Sequence, residues 1–180
     1  VTSSAQLFVK GKLMDIRIAG TVEDSIVDGP GLRFVVFVQG CPHHCEGCHN
    51  PETHDFSAGK LTTTDALYEM CMENPLCSGV TFSGGEPFCQ PEALYELGSR
   101  FKAAGKHLMC YSGWTFEELL KKSGREEYVG KLLSILDVLV DGRFDISKRS
   151  LSLLFRGISN QRLIDIPASL SKGEAVELPE

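Results

Sequence analysis

Apolar strand-like runs alternate with helical patterns along most of this 180-residue chain. The run RFVVFVQ is β-branched and aromatic and stops at Gly40, which is typical of a buried strand. The strand-like runs centre on 33–39, 78–82, 108–111, 137–140 and 153–155. This alternation favours parallel pairing, because parallel strands need a long crossover that a helix usually supplies. The sequence therefore predicts an α/β fold with parallel strands.

The segments between these runs carry helix start and stop signals. Thr63 or Thr64 is suited to cap DALYEMCMEN, and Thr115 is suited to cap FEELLKK. Pro91 fits the first turn of PEALYELGSRFKAAG, and Gly105 fits its end. The segment REEYVGKLLSIL has apolar residues on one helical face, at Tyr128, Leu132, Leu133 and Leu136.

Polar, glycine-rich segments directly follow four of the predicted strands. They are Gly40-Cys41, Ser83–Glu86, Tyr111–Gly113 and Asp141–Arg143. The carboxyl ends of parallel strands meet at one rim, and in β/α barrels this rim carries the chemistry. A full eight-unit barrel needs roughly 250 residues. The five or six strands available here therefore predict a partial, open (β/α) barrel.

The length suits one domain, which we place at residues 14–166. Residues 1–13 precede the internal Met14 and are interpreted as an N-terminal extension. The acidic segment 167–180 contains Pro167 and Pro179 and lacks periodicity, so it is predicted to be a mobile tail.

Charge and cysteine usage exclude several classes of function. A net charge of −6 argues against a general nucleic-acid-binding surface. The sequence shows neither a signal peptide nor an apolar run long enough to span a bilayer, so a cytoplasmic protein without a membrane partner is expected. Seven cysteines in a reducing compartment favour metal or redox chemistry over structural disulfides.

The segment GCPHHCEGCHNP places three cysteines, Cys41, Cys45 and Cys48, within eight residues. Thiolates favour zinc or iron–sulfur clusters. A structural zinc ion would need a fourth ligand, taken from a distant cysteine or from the histidines His43, His44, His49 and His54. A cubane cluster is normally held by four cysteine thiolates, so three thiolates predict a cluster with one iron open to a substrate. The iron–sulfur interpretation is favoured over the Cys3His zinc site.

The segment TFSGGEP, at Thr81–Pro87, is a second candidate site. Two consecutive glycines after a strand let a ligand approach the backbone closely, and Glu86 adds an acceptor. The alternative is a tight strand-to-helix turn. Its predicted position on the same rim as the cysteines favours the functional interpretation.

The remaining cysteines and aromatic residues are interpreted as packing residues. Cys71, Cys77, Cys89 and Cys110 match no second-cluster spacing and are expected to behave as small hydrophobic residues. Trp114, Phe34 and Phe37 are predicted to pack in the core. His43 and His44 are expected to shape the cysteine loop or to face solvent.

The cysteine motif followed by Ser83-Gly84-Gly85-Glu86 resembles the radical S-adenosylmethionine superfamily. Further segments narrow the resemblance, namely VDGPGLRFVVFVQGC, CHNPETHDF, VLVDGRFD and LLFRGISNQRLID. Together they resemble the activating proteins of anaerobic ribonucleoside-triphosphate reductase, which are glycyl-radical enzyme activases. The match runs from about Val27 to Asp165. This resemblance implies an open barrel of the radical S-adenosylmethionine type.

The resemblance also implies the site residues. Cys41, Cys45 and Cys48 would hold three irons of a 4Fe–4S cluster, whose fourth iron chelates S-adenosyl-L-methionine. The backbone around Gly84, Gly85 and Glu86 would receive the methionyl ammonium group, so a side chain at Gly85 should weaken cofactor binding more than cluster binding. No further catalytic side chain is assigned.

Weaker matches complete the implied cofactor site. Ser112 and Asp141 match positions that contact the ribose or methionyl part, and Arg143 is suited to pair with the carboxylate. All three are also compatible with a turn or a solvent-facing position. Many members carry an aromatic residue before the third cysteine, where this chain has Gly47. The expected adenine contact therefore falls to the backbone of Gly47, Cys48 and His49.

The implied reaction begins with a flavodoxin or ferredoxin that reduces the cluster by one electron. Reductive cleavage of S-adenosylmethionine then gives methionine and a 5′-deoxyadenosyl radical, which takes a hydrogen atom from a glycine Cα of the reductase. Activation of another glycyl-radical enzyme, such as pyruvate formate-lyase, and small-molecule radical chemistry are alternatives. A non-catalytic zinc or iron–sulfur module is the alternative from a different class.

Overall fold

The computed structural model describes residues 13–150 and 153–179, and these form one seven-stranded sheet in the order β3-β1-β2-β4-β5-β6-β7. The strands are β1 (Asp15–Ser25), β2 (Arg33–Val38), β3 (Lys60–Thr63), β4 (Gly79–Gly84), β5 (His107–Ser112), β6 (Val138–Asp141) and β7 (Arg162–Asp165). The helices are α1 (Thr64–Met72), α2 (Pro91–Ala103), α3 (Phe116–Ser123), α4 (Glu127–Ile135) and α5 (Ile166–Lys172).

The centre of the sheet is parallel, as predicted. Strand β4 pairs in parallel with β2 and β5, and β5 pairs in parallel with β6. In this register Val38 lies opposite Gly84, and Ser112 lies opposite Asp141. The polar segments after these strands therefore share one rim, which is the arrangement that the sequence predicts.

The edges of the sheet are antiparallel, which differs from the all-parallel expectation. Strand β1 pairs antiparallel with both β2 and β3, and β7 pairs antiparallel with β6. Only residues 26–32 connect β1 to β2, and a connection this short permits a hairpin but not a parallel crossover. Ile16 and Ile18 are the buried apolar residues of β1, a pattern too short to reveal an 11-residue strand from the sequence.

Helices α1 to α4 form the main core against one face of the sheet. Leu94, Leu97 and Phe101 of α2 are fully buried in the same cluster as Phe82 and Leu108 of the strands. The predicted helix signals are confirmed. Thr63 caps α1, Thr115 forms a capping box with Glu118, Pro91 begins α2, and Gly105 follows its end at φ +75°.

One sequence prediction about the C-terminal region is wrong, that of a strand at 153–155. Residues 153–155 form a loop, because β7 takes the place beside β6 that a strand there would need. The segment 167–180 contains most of α5, which Asp165 and Gly173 cap, and its predicted mobility stays a prediction. Backbone bonds then hold the following residues beside β7, from Asp165 N to Val176 O at 2.8 Å and from Leu178 N to Leu163 O at 2.8 Å.

Some sequence predictions stay untested. Of the extension at 1–13, only Leu13 lies within the described residues. The assignment of 14–166 as one radical S-adenosylmethionine domain stays a prediction. Across residues 13–150 and 153–179, every helix is too short or too polar to cross a bilayer.

Candidate cluster and cofactor site

A cavity of about 410 Å³ lies at the carboxyl ends of the parallel strands. Cys41, Cys45 and Cys48 all line it, together with Gly84 and Gly85. The other lining residues are Val27, Asp28, Phe37, His43, His49, Asn50, Thr53, His54, Ser83, Tyr111, Ser112, Gly113, Gly142, Phe144, Leu153, Phe155, Arg156, Gly157 and Gln161. The two segments that the sequence singles out therefore share one concave site.

The three cysteines lie on the loop that follows β2, and backbone hydrogen bonds hold this loop in place. Gly40 N donates to Thr53 O at 2.8 Å, Cys41 N to His54 O at 3.2 Å, and Cys48 N to Cys45 O at 3.2 Å. Cys41 is buried, whereas Cys45 and Cys48 are half-buried. Burial raises the pKa of the Cys41 thiol. Metal binding must therefore displace a proton that is held firmly there.

The other four cysteines lie outside this cavity, in agreement with their predicted packing role. Cys71 and Cys77 contact each other with their Sγ atoms 3.7 Å apart. Burial raises the pKa of Cys71 and of Cys89 to about 12, and it raises that of Cys110 as well. Thiols held in the protonated form are poor metal ligands and nucleophiles.

Not all of the histidines considered as a fourth zinc ligand line the cavity. His43, His49 and His54 line the cavity, whereas the exposed His44 does not. Among the described residues, no group of three or more histidine, cysteine or acidic side chains is gathered around a single-ion position. Neither the zinc ion nor the cluster therefore has a fully assembled set of ligands in this part of the chain. Three cavity thiols on one loop fit a multi-iron cluster with an open iron.

The glycine turn after β4 is bonded directly to the cysteine loop. Gly85 N donates to Val38 O at 2.8 Å, and Glu86 N donates to Gly40 O at 2.8 Å. Gly84 has φ +95°, a conformation that side chains disfavour. The bare glycine backbone faces the cavity, as the predicted approach of a methionyl group requires.

Glu86 is placed differently from its neighbours. Its side chain is fully buried, does not line the cavity, and accepts hydrogen bonds from Ser112 Oγ at 3.0 Å, Gly113 N at 2.8 Å and Phe88 N at 3.0 Å. His43 Nε2 lies 2.8 Å from its Oε2 atom. The carboxylate therefore joins the cysteine loop to the ends of β4 and β5, and the ammonium contact by the backbone around Glu86 stays a prediction.

Glu86→Ala is expected to lower the free energy of unfolding by about 3 kcal/mol, because it leaves several buried donors without an acceptor. Glu86→Gln should cost less, since its carbonyl oxygen keeps part of the network. Urea denaturation of the metal-free, reduced protein measures both. Equal stability of Glu86→Ala and the wild type would show that the network carries little energy.

Of the three residues with weaker predicted contacts, only one lines the cavity. Ser112 lines the cavity, although its hydroxyl is bonded to Glu86. Asp141 is buried outside the lining, and its carboxylate accepts from Arg162 Nε at 3.0 Å and from Phe116 N at 2.7 Å. Arg143 is exposed and does not line the cavity. The cofactor contacts of Asp141 and Arg143 stay predictions; the first side chain has other partners, and the second faces solvent.

The proposed adenine contacts lie on the cysteine loop. Cys48 and His49 line the cavity, whereas Gly47 is exposed with φ +71° and does not. The site includes residues that the sequence analysis did not assign, above all His43, Tyr111 and Arg156. Of these three residues, His43 is the one that the sequence could have placed at the site, because it lies between Cys41 and Cys45.

Comparison with known proteins places this geometry in a family. Residues 27–164 match the family model of the 4Fe-4S single cluster domain. The chain is 33% identical over 143 residues to the anaerobic ribonucleoside-triphosphate reductase-activating protein of Enterobacteria phage T4, covering 76% of this chain and 86% of that protein. It is 34% identical over 146 residues to the protein of that name from Haemophilus influenzae, covering 76% of this chain and 89% of that protein.

A third relative carries a different name. The chain is 39% identical over 122 residues to the pyruvate formate-lyase-activating enzyme of Clostridium pasteurianum, which matches 63% of this chain. The chain spans 49% of that enzyme's length. The cofactors of this group are a 4Fe–4S cluster and S-adenosylmethionine, and the three cavity thiols and the glycine turn fit them. The chain therefore belongs to the 4Fe–4S single-cluster family of radical S-adenosylmethionine enzymes, together with the activating enzymes of glycyl-radical proteins.

Proposed function

We propose that this protein activates anaerobic ribonucleoside-triphosphate reductase by generating a glycyl radical on it. The observation that carries the proposal is the convergence of Cys41, Cys45, Cys48, Gly84 and Gly85 on one cavity. Two relatives named for this activation match over 76% of the chain, which supports this partner. We place the protein in the cytoplasm, where its thiols stay reduced.

When bound, the cluster and S-adenosylmethionine would supply a one-electron reductive cleavage of the C5′–S bond. The resulting 5′-deoxyadenosyl radical would take the hydrogen atom from the glycine. Cys41, Cys45 and Cys48 would hold three irons and leave one for the cofactor. The backbone of Gly84 and Gly85 would admit the methionyl end without steric conflict. The aromatic walls of the cavity would keep water from the reacting carbon, and they are formed by Phe37, Tyr111, Phe144 and Phe155.

The shape of the fold suits a protein substrate. We infer a partial, open barrel, because the seven strands of residues 13–150 and 153–179 form a sheet that ends in the separate edges β3 and β7 and does not close. Exposed residues such as Val27, which is 70% exposed, lie on the cavity lining. A loop of another folded protein can therefore reach the site from the side, which a closed barrel would prevent.

Anaerobic mixing with the reductase, S-adenosylmethionine and dithionite is expected to give a glycyl-radical doublet in the EPR spectrum. Pyruvate formate-lyase, treated in the same way, tests the second candidate function, which the 39% identity to the Clostridium pasteurianum enzyme favours. A stronger signal on the lyase would keep the family and overturn the proposed partner. A radical on neither protein would contradict activation of both.

A further inference from the structure

The cysteine loop has a buried side and an exposed side. Cys41 is 8% exposed, whereas Cys45 and Cys48 are half-buried and the intervening Glu46 and Gly47 are exposed. A bound cluster would thus come nearest to the protein surface at the Cys45–Cys48 turn. An electron from an external donor has its shortest path there.

Residues Arg143–Arg149, here called the basic segment, pack directly on this turn. A Cβ atom added at Gly47 would lie 2.5 Å from Ile146 Cδ1, so that side chain covers the glycine closely. The rings of Phe144 and His49 lie 4.7 Å apart between centroids. The basic segment therefore borders the exposed side of the cysteine loop at two points.

Hydrogen bonds hold the basic segment in a defined position. Asn160 Nδ2 donates to Arg143 O at 2.9 Å, and Ser159 N donates to Lys148 O at 2.9 Å. The 3-10 turn Ile146–Lys148 is capped by the side chain of Asp145. The segment thus presents its side chains from a fixed backbone, as a docking surface requires.

The charge of the basic segment is opposite to that of the whole chain. Its sequence RFDISKR carries three cationic side chains and one acidic one, whereas the chain has a net charge of −6. Arg143, Lys148 and Arg149 are all exposed, and Ile146 between them is 51% exposed. Asp145 lies 3.4 Å from Lys148 and offsets one charge, and the exposed Glu46 of the cysteine loop offsets a second. One positive charge in excess, with an apolar centre, therefore remains beside the cysteine loop.

We propose that the basic segment is the docking surface for the acidic one-electron carrier that reduces the cluster. The inference rests on the proposed function. In the reduction step, the carrier loses one electron and the cluster gains one, and no bond is formed or broken. Complementary charge beside the redox centre would steer the encounter and raise its rate at low salt.

The test compares the wild type with the double variant Lys148→Glu/Arg149→Glu. Stopped-flow absorbance follows reduction of the reconstituted cluster by a reduced, acidic bacterial flavodoxin, and calorimetry measures binding of the oxidised flavodoxin. At low ionic strength we expect the double variant to lose about tenfold or more in reduction rate and to bind the flavodoxin more weakly. The wild-type rate should fall as salt rises.

Arg125→Glu is a control for charge reversal away from the site, because Arg125 is exposed in the turn between α3 and α4. It should reduce the rate far less than the double variant. Unchanged flavodoxin binding and reduction in the double variant would overturn the proposal. So would a wild-type rate that is insensitive to salt, a result that does not depend on any variant folding.

Reduction by dithionite, which needs no protein donor, distinguishes this proposal from the proposed function. At high ionic strength, where the charge of the dithionite anion is screened, the double variant should be reduced by dithionite at the wild-type rate and then form the glycyl radical normally. Loss of dithionite reduction at normal iron content would mean that the segment acts on the cluster itself, and the docking proposal would be wrong. Normal reduction by flavodoxin with poor radical formation would assign the surface to the glycyl-radical partner instead.

Discussion

Replacing Cys45 with alanine is expected to leave the protein with almost no bound iron after anaerobic reconstitution. Cys45 is one of three cysteines that line the cavity among the described residues. A cubane that already has one iron without a protein ligand has no spare thiolate to lose. Cys41→Ala and Cys48→Ala should have the same effect, and S-adenosylmethionine cleavage should be lost with the iron. Iron analysis and the cluster's visible absorbance measure the result.

Cys89→Ala is the matched control, because Cys89 is also partly buried but does not line the cavity. This variant should keep a near-normal iron content. Circular dichroism of each variant shows whether the fold is retained. A folded Cys45→Ala protein with nearly full iron would contradict the assignment, as would loss of iron from a folded Cys89→Ala protein.

Gly85→Ala is expected to abolish cluster assembly and cofactor binding together and to destabilise the fold. A Cβ atom at Gly85 would lie 2.4 Å from the backbone oxygen of Gly40, the residue before Cys41. Backbone cannot yield as a flexible side chain does, so the glycine turn and the cysteine loop must separate. The same movement would break the bond from Glu86 N to Gly40 O. The substitution is therefore expected to displace the proposed cluster ligands by moving the backbone next to Cys41.

This expectation revises the one drawn from the sequence, in which a side chain at Gly85 would affect mainly the cofactor. Iron content, S-adenosylmethionine affinity and urea denaturation of the same variant distinguish the two. Gly20→Ala is the control, because a Cβ atom there would meet nothing within 4 Å. Normal iron in Gly85→Ala together with weak cofactor binding would restore the earlier interpretation.

Both predictions depend on the way in which the cysteine loop and the glycine turn support each other. One backbone hydrogen bond, from Glu86 N to Gly40 O, links them directly, and a second, from Gly85 N to Val38 O, ties the turn to the end of β2 just before the loop. The buried Glu86 carboxylate adds a further link through His43. His43 in turn packs edge-on against Trp114, with ring centroids 4.6 Å apart. Cluster ligands and cofactor site are thus positioned as one unit, as electron transfer between them requires.

The local features of the site could be predicted from the sequence. The spacing of Cys41, Cys45 and Cys48 predicts the ligand chemistry, and because all three belong to one short loop they line the same cavity. Strand–helix alternation was enough to place the cysteine loop and the glycine turn on one rim, because all carboxyl ends of a parallel sheet lie on the same side. Helix caps were equally local, as Thr115 shows.

Only the tertiary structure decided the partners of the buried polar groups. Glu86 is bonded to Ser112, 26 residues away, and Asp141 to Arg162, 21 residues away. It also decided that β7 occupies the sheet edge beside β6 and that residues after 165 form α5. Such pairings depend on which strands become neighbours. Hydrophobic periodicity predicts that a residue is buried, but it does not predict which residue it contacts.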